Sequence, residues 1–204
     1  MPFYYYYGYD SGLILALIGV MILGFIAQSS VGRTFKKYSG IRAQTGMRAF
    51  EIAQNLLWNA GSQVQIAQLR GALADHFDPR KQTVGLSETV YGSDSVAALA
   101  VSAHEIGHVM QYEEGYFPIK VRNAILPVAR IGSSAAPFIV ILGFVMQSFD
   151  LAMAGVILFG AVLAFQLITL PVEFNASSRA IEMLSAGGYL SYDEVPGAKK
   201  VLRA

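Results

Sequence analysis

The chain has 204 residues, a formal net charge of +1, and 54% hydrophobic against 14% charged residues. This balance lies outside the usual range of soluble domains, so lipid is expected to solvate part of the chain. The small net charge, with no basic stripe interleaved with aromatics, gives no case for nucleic acid binding, and the lack of cysteine excludes disulfides and Cys-ligated metals.

The first apolar stretch runs from Gly12 to about Val31 and contains no Lys, Arg, Asp or Glu. It is long enough to span a bilayer, which takes about 20 residues. Its leader has no basic residue and no small-x-small cleavage site follows, so we interpret residues 1–32 as a leader and a retained transmembrane helix. Tyr4 to Tyr7 and Tyr9 suit an aromatic belt at the headgroup level, although a floppy Tyr-rich terminus explains them nearly as well.

Residues 33–130 are more polar and form the candidate for a folded aqueous domain. An amphipathic helix is predicted from Met47 to Asn59. A short alternating stretch from Gln63 to Leu69 fits a strand. Asp78-Pro79 predicts a turn, and Gln82 to Leu86 predicts a second short strand.

The pattern turns helical over residues 94–114, and this helix contains the motif His-Glu-Ile-Gly-His. Because positions i and i+4 stack on one helix face, His104 and His108 can reach one metal ion. Zinc lowers the pKa of a water molecule that it binds to about 7. Glu105 is rotated by about 100 degrees from His104 and can accept the proton of that water.

A five-residue motif can arise by chance, and His pairs at this spacing also occur for packing reasons. Two of the three histidines nevertheless fall in this motif, within a helix that is otherwise mostly apolar. A buried face with two His and one Glu is costly unless a metal or other partners satisfy it. The sequence therefore favours a metal site.

Two further apolar stretches, Ile131 to about Met146 and Leu151 to about Val172, flank the short turn Gln147 to Asp150. They predict a transmembrane hairpin over residues 131–172 and about three transmembrane helices in all. The last segment, 173–204, begins with a predicted helix that ends before a Gly-Gly pair.

The distribution of basic residues predicts the orientation. Eleven Lys and Arg lie between Arg33 and Arg130 and four between Arg179 and Arg203, which accounts for all fifteen. The leader and the hairpin turn have none, so both are expected outside while the charged segments face the cytoplasm. We expect a multi-pass protein of the plasma membrane.

A catalytic zinc site needs a third protein ligand, with the fourth position left to water. His76 is one candidate, although it also fits an ordinary loop histidine. Glu173 is another, although an acidic residue at a predicted helix start is also favoured by the helix dipole, by about 0.3 to 1 kcal/mol. Upstream acids stay open as well, namely Asp75, Asp78, Glu88 and Asp94.

Four segments together resemble the YugP-like group of bacterial neutral zinc metallopeptidases of the membrane. They read DHFDPRKQTVGLSETVYG, SVAALAVSAHEIGHVMQ, LPVEFNASSRA and PGAKKVLRA. The resemblance extends from about Phe35 to Ala204. More distantly, the chain is similar to membrane heat-shock proteases and CAAX prenyl proteases.

The resemblance implies a small α+β zincin-like catalytic domain of gluzincin type, attached to the membrane helices. It implies one Zn²⁺ per chain, with Glu173 as the third ligand. It also implies that a short edge strand precedes the zinc helix and binds substrate by β-addition. By position, that strand comprises Gln82, Thr83, Val84, Gly85, Leu86 and Ser87.

Two positions depart from the pattern of these families, because Asn175 and Ser177 stand where Asp is expected. A carboxylate there would orient a zinc histidine, so that role is open. Arg179 and Tyr112 are candidates for the oxyanion stabiliser on sequence proximity alone. The families also continue into a further apolar span beyond the last segment quoted.

The sequence thus predicts a membrane-bound zinc endopeptidase acting at the cytoplasmic membrane face. One alternative is an intramembrane protease with the motif inside a span. The polar residues Gln111, Glu113 and Glu114, which closely follow the motif, argue against it. Another is a non-catalytic scaffold or adaptor that keeps the fold. The intact Glu105 argues against it, because structure alone would not need that carboxylate. The expected partners are the lipid bilayer and a peptide or membrane-protein substrate; a membrane protein partner or a homo-oligomer stays open.

Overall fold

The computed structural model describes residues 11–72 and 74–204, so the predicted tyrosine belt at Tyr4 to Tyr7 and Tyr9 lies outside the described residues. The described part is mostly helical and contains one small sheet. In chain order, its elements are α1 (Ser11–Ser39), α2 (Ala49–Asn59), β1 (Gln65–Leu69), β2 (His76–Asp78), β3 (Thr83–Ser87), α3 (Glu88–Tyr91), α4 (Val96–Glu113), α5 (Phe117–Val145), α6 (Phe149–Ala186) and α7 (Val195–Arg203).

Two helices of the described part, α5 and α6, are long and apolar enough to cross a membrane. They form an antiparallel hairpin, and the turn between them has Gln147 in the left-handed region at φ 54°. Small residues allow the two helices to approach closely, since a Cβ on Gly155 would lie 2.6 Å from a methyl carbon of Val140. The helix α1 covers the first predicted span, whose membrane crossing stays a prediction.

Both helices of the hairpin extend well beyond the predicted span boundaries. The helix α5 begins at Phe117 rather than near Ile131. The separate helix predicted to begin at Glu173 is wrong, because α6 runs without a break from the apolar stretch to Ala186. The composition changes from apolar to polar at Glu173, and Pro171 removes one helical hydrogen bond just before it, but the helix continues through both positions. Glu173 is therefore fixed to the last span by continuous helix, and the helix-dipole explanation for it no longer applies.

The sheet has the strand order β1-β3-β2, with β1 parallel and β2 antiparallel to β3. The prediction that Gln82–Ser87 forms an edge strand is therefore wrong, because its strand, β3, is the central strand of the sheet. Four consecutive residues of β3, from Val84 to Ser87, are buried, so both faces of this strand are covered. The sequence interpretation missed β2, which is only three residues long and ends at the Asp78-Pro79 turn.

The helix α4 lies at the centre of the folded domain. Its residues Val96 to Ala100 and Ala103 are fully or almost fully buried. It packs against α2, α6 and α7, and its small alanine side chains permit these close contacts. Ser95 caps its N-terminus by accepting a hydrogen bond from Ala98 N at 3.2 Å.

The closest contact between α4 and α6 is at Gly107, inside the His-Glu-Ile-Gly-His motif. A Cβ built on Gly107 would lie 2.6 Å from the carbonyl oxygen of Ala176 and 3.1 Å from its Cα. The obstructing atoms belong to the backbone of α6, so they cannot move aside as the end of a side chain could. The absence of a side chain at Gly107 sets the spacing of the two helices.

We predict that Gly107→Ala destabilises the protein by about 1 to 3 kcal/mol, because an added methyl group overpacks the α4–α6 crossing. Thermal unfolding in detergent, followed by circular dichroism, measures the change. The matched control is Gly160→Ala, since Gly160 also lies in a helix but a methyl group added to it would have no neighbouring atom within 4 Å. Equal stability of the two variants would contradict a tight crossing at Gly107.

Candidate metal centre

Two imidazoles of α4 and one carboxylate of α6 converge on a single point. Glu173 Oε2 lies 3.2 Å from His104 Nε2 and 3.3 Å from His108 Nε2. The two imidazole rings are 4.7 Å apart at their centroids and nearly perpendicular. His104, His108 and Glu173 form what we call the ligand cluster, and each offers one ligand atom within 4.8 Å of the others.

The donor set fits a zinc ion. Zinc favours imidazole nitrogen and carboxylate oxygen in tetrahedral geometry, and ligand atoms about 2.0 to 2.1 Å from such an ion lie about 3.3 Å from one another. This is the separation found between Glu173 Oε2 and both imidazoles. In the described residues, this is the one group of three or more His, Asp or Glu so arranged. His76 does not join it; its Nδ1 contacts Ala74 O at 2.8 Å in an exposed position.

Each imidazole of the cluster contacts a neutral polar side chain through its other ring nitrogen. His104 Nδ1 lies 3.1 Å from Ser177 Oγ, and His108 Nδ1 lies 3.0 Å from Gln111 Oε1. Metal-binding histidines usually have such a partner, which fixes the orientation of the ring. Ser177 therefore occupies the orienting position where a carboxylate was expected, and a hydroxyl oxygen faces the ring instead.

The hydrogen bonds around Gln111 determine the tautomer of His108. Arg179 Nε can only donate, so it faces the Asn175 amide oxygen at 2.8 Å. Gln111 Nε2 donates to that same oxygen at 2.9 Å and to Val172 O at 2.8 Å. Gln111 Oε1 is then the acceptor for His108, whose Nδ1 carries the proton. In the neutral imidazole, the lone pair sits on Nε2 and points into the cluster.

Glu173 is held by a second interaction on its other oxygen. Arg122 Nη2 of α5 lies 3.2 Å from Glu173 Oε1, while Oε2 faces the two imidazoles. Glu173 Oε1 therefore pairs with Arg122, and Oε2 is left to face the two imidazoles. The Glu173 side chain is 35% exposed, against 6% for His108, so the cluster opens to its surroundings on the Glu173 side.

Glu105 is buried beside the cluster. It makes no hydrogen bond or ion pair with any other described residue, and its charge acts on the neighbouring His108. The carboxylate therefore has lone pairs available for a proton or a water molecule. It follows His104 directly on the same helix, as general-base catalysis requires of this motif.

The pKa of His108 lies above its ordinary value. Burial alone lowers it, but the hydrogen bond to Glu173 and the negative charges of Glu105 and Glu173 raise it. Without a metal, Nε2 therefore tends to keep a proton that it shares with Glu173. A metal that binds the cluster must displace this proton, so binding weakens as the pH falls.

The two predicted oxyanion candidates make other contacts, and the oxyanion role stays a prediction. Tyr112 packs edge-on against Phe77 with ring centroids 5.7 Å apart. Arg179 donates to Glu114 Oε1 at 2.7 Å, and this hydrogen bond lowers the pKa of the Glu114 carboxyl. Within the described part of the chain, neither side chain hydrogen-bonds to the cluster. Arg179 acts on it only indirectly, through Asn175.

Sequence analysis missed the roles of Gln111 and Arg122. The sequence marks Gln111 only as a polar residue after the motif, yet it is fully buried. Its place one turn after His108 on the same helix is a local signal that could have identified it. The contact of Arg122 with Glu173 joins distant segments, and no local pattern indicates it.

The sequence matches the family described as "Putative neutral zinc metallopeptidase" over residues 13–204. It is also similar to the protein named "Putative membrane protease YugP" of Bacillus subtilis (strain 168), with 41% identity over 192 residues. The aligned residues cover 94% of this chain and 85% of that protein. No solved structure matches the chain, and the zincin-like fold implied by the resemblance stays a prediction.

We predict that Ser177→Ala weakens zinc binding by about 10 to 100-fold, because His104 loses the group that orients its ring. Competition with a chromophoric chelator measures the affinity. Ser178→Ala is the matched control, because Ser178 is the exposed neighbour on the same helix. Ser177→Asp is expected to retain binding, since a carboxylate can accept the same hydrogen bond. Equal affinities for the Ser177→Ala and Ser178→Ala variants would show that the Ser177 contact does not support the metal.

Proposed function

This chain belongs to the neutral zinc metallopeptidase family, and we propose that it is a membrane-bound, zinc-dependent endopeptidase that cleaves substrates at the cytoplasmic membrane face. The observation that carries the proposal is the convergence of His104, His108 and Glu173 beside the buried carboxylate of Glu105. A site that only binds a metal would not need the Glu105 carboxylate. The name of the relative, a membrane protease, and the two long apolar helices support association with a membrane.

In this proposal, zinc is held by the Nε2 atoms of His104 and His108 and by Glu173 Oε2. When bound, zinc supplies Lewis-acid activation of water and of the peptide carbonyl. Glu105 accepts the proton of the attacking water and returns it to the departing amine. Gln111 and Ser177 keep both imidazoles in place during this cycle, and Arg122 keeps Glu173 oriented toward the metal.

We further propose that an extended substrate pairs with the edge strand β2 (His76–Asp78). Its inner edge pairs with β3, while its outer edge has no strand partner in the described part. Phe77 of β2 packs on Tyr112, which lies one helical turn after His108 on α4. A peptide added along the outer edge would therefore run close to the cluster.

The proposed orientation rests on the basic residues. All fifteen Lys and Arg lie within residues 33–130 and 179–203, whereas the turn between α5 and α6 has none, which favours a cytoplasmic location for the folded domain. Glu173 directly follows the apolar stretch of α6. The cluster is then at the level of the membrane surface, where chain segments adjoining a membrane span would reach it.

We predict that Glu105→Gln retains zinc but loses peptidase activity by about 100 to 10,000-fold, since the amide keeps the shape of the side chain but cannot act as a base. Zinc content is measured by atomic emission, and turnover with an unfolded protein such as casein. Chelator should abolish activity of the unaltered chain, and added zinc should restore it.

Glu113→Gln is the matched control, because it makes the same charge change on the same helix, where Ser62 is the one described residue that donates a hydrogen bond to Glu113. It should keep full turnover. Full turnover by the Glu105→Gln variant would contradict the proposed role of Glu105 as the general base. A zinc-loaded chain that cleaves no peptide or membrane-protein substrate would favour the scaffold alternative.

The orientation is testable with single cysteines, since the chain has none. Met146→Cys at the exposed hairpin turn and Lys81→Cys in the folded domain are both accessible positions. In intact cells, a membrane-impermeant thiol reagent should label the first. It should label the second only after permeabilisation. The reverse pattern would place the folded domain outside.

A further inference from the structure

A basic groove lies where the C-terminal end of α1 meets α7. Arg33 and Lys37 of α1 line it opposite Lys200 and Arg203 of α7, and its volume is about 380 Å³. No acidic side chain is among its lining residues. We call it the basic groove, and the reaction at the ligand cluster does not use it.

The fold builds the groove by fixing α7 against α1. A Cβ on Gly197 would lie 2.6 Å from the ring of Tyr38, so the two helices touch through this glycine. The start of α7 is held by Glu194, which accepts hydrogen bonds from Gln44 N and Ser191 N, both at 2.7 Å. The position of α7 therefore follows from buried contacts rather than from its charges.

Helical spacing then directs four cations toward one another. Arg33 and Lys37 are four residues apart on α1, and Lys200 and Arg203 are three apart on α7, so each pair shares a helix face. None of the four belongs to an ion pair among the described residues. Like charges at this spacing destabilise a helix surface. An anion bound between the helices would remove that repulsion.

The location of the groove indicates which anion is available. The preceding part of α1 exposes large apolar side chains, including Ile22, Phe25 and Ile26. The first predicted span ends near Val31, and Arg33 follows within one helical turn. The polar headgroup layer begins where the apolar stretch ends, so the groove opens into that layer.

We propose that the basic groove binds the phosphate of an anionic phospholipid headgroup in the cytoplasmic leaflet. The guanidinium groups of Arg33 and Arg203 are suited to bidentate contacts with phosphate oxygens, and the two lysines add charge. Thr34, which also lines the groove, has a hydroxyl that can donate to the same anion. The proposal uses the membrane placement of α1 but not the peptidase activity.

The test compares lipid binding by two double variants of the full chain, purified in a zwitterionic detergent. The groove variant is Arg33→Gln with Lys200→Gln. The matched control is Lys36→Gln with Lys199→Gln, which removes the same charge from the same two helices at exposed positions outside the groove lining. Native mass spectrometry measures binding of phosphatidylglycerol, with phosphatidylcholine of the same chain length for comparison.

We expect the unaltered chain and the control to bind phosphatidylglycerol in preference to phosphatidylcholine, and the groove variant to bind it roughly 25-fold more weakly, at about fivefold per cation. Equal weakening in both double variants would overturn the groove in favour of diffuse surface charge. Equal binding of both lipids would overturn it as well.

A competition arm distinguishes the lipid from a soluble phosphate. Millimolar inorganic phosphate should not displace phosphatidylglycerol from the unaltered chain, because the acyl chains of the lipid also pack against the apolar face of α1. Displacement of phosphatidylglycerol by millimolar phosphate would overturn the lipid assignment. Thermal unfolding of both double variants verifies that they fold, and a groove variant that unfolds early is replaced by Lys200→Gln alone, compared with Lys199→Gln alone.

Discussion

The metal centre depends on one backbone contact, the crossing of α4 and α6 at Gly107 and Ala176. The His pair needs only helical spacing, but Glu173 is far away in sequence and reaches the pair because the two helices touch. The same crossing brings Gln111 and Ser177 within hydrogen-bond distance of groups on the opposite helix. A glycine between the two histidines is therefore as much a part of the centre as the ligands.

The groups behind the histidines are neutral, and this affects the charge of the site. A serine hydroxyl and a glutamine amide face the two imidazoles, so the carboxylates near the cluster are Glu173 and Glu105, with Arg122 as the counter-charge. Arg179 and Asn175 fix the glutamine amide, and through it the tautomer of His108. The imidazoles are thus oriented by hydrogen bonds that add no negative charge beside the candidate metal site.

Local patterns predicted much of this arrangement, and contacts between distant segments account for what they missed. The motif helix, α2 and the strands β1 and β3 follow from periodicity over neighbouring residues. The central place of β3 does not, because strand order depends on β2, which is too short to show a period. The continuity of α6 past Glu173 is hidden in the sequence, because a change from apolar to polar composition resembles a helix boundary. Glu173 itself is identified through family resemblance, whereas Arg122 has no such guide.

The unbroken course of α6 has a mechanical consequence. In the proposed placement, α6 runs from lipid into the folded domain and carries Glu173 where its apolar stretch ends, while the two histidines belong to α4. A helix adapts to bilayer thickness by tilting or by shifting along its axis, and such a movement of α6 would act on the α4–α6 crossing that brings Glu173 to the histidines. Catalytic geometry tolerates errors of only about 0.5 Å. In this proposal, the thickness and tension of the surrounding bilayer would therefore act on the geometry of the ligand cluster, and through it on the rate of the proposed peptide hydrolysis.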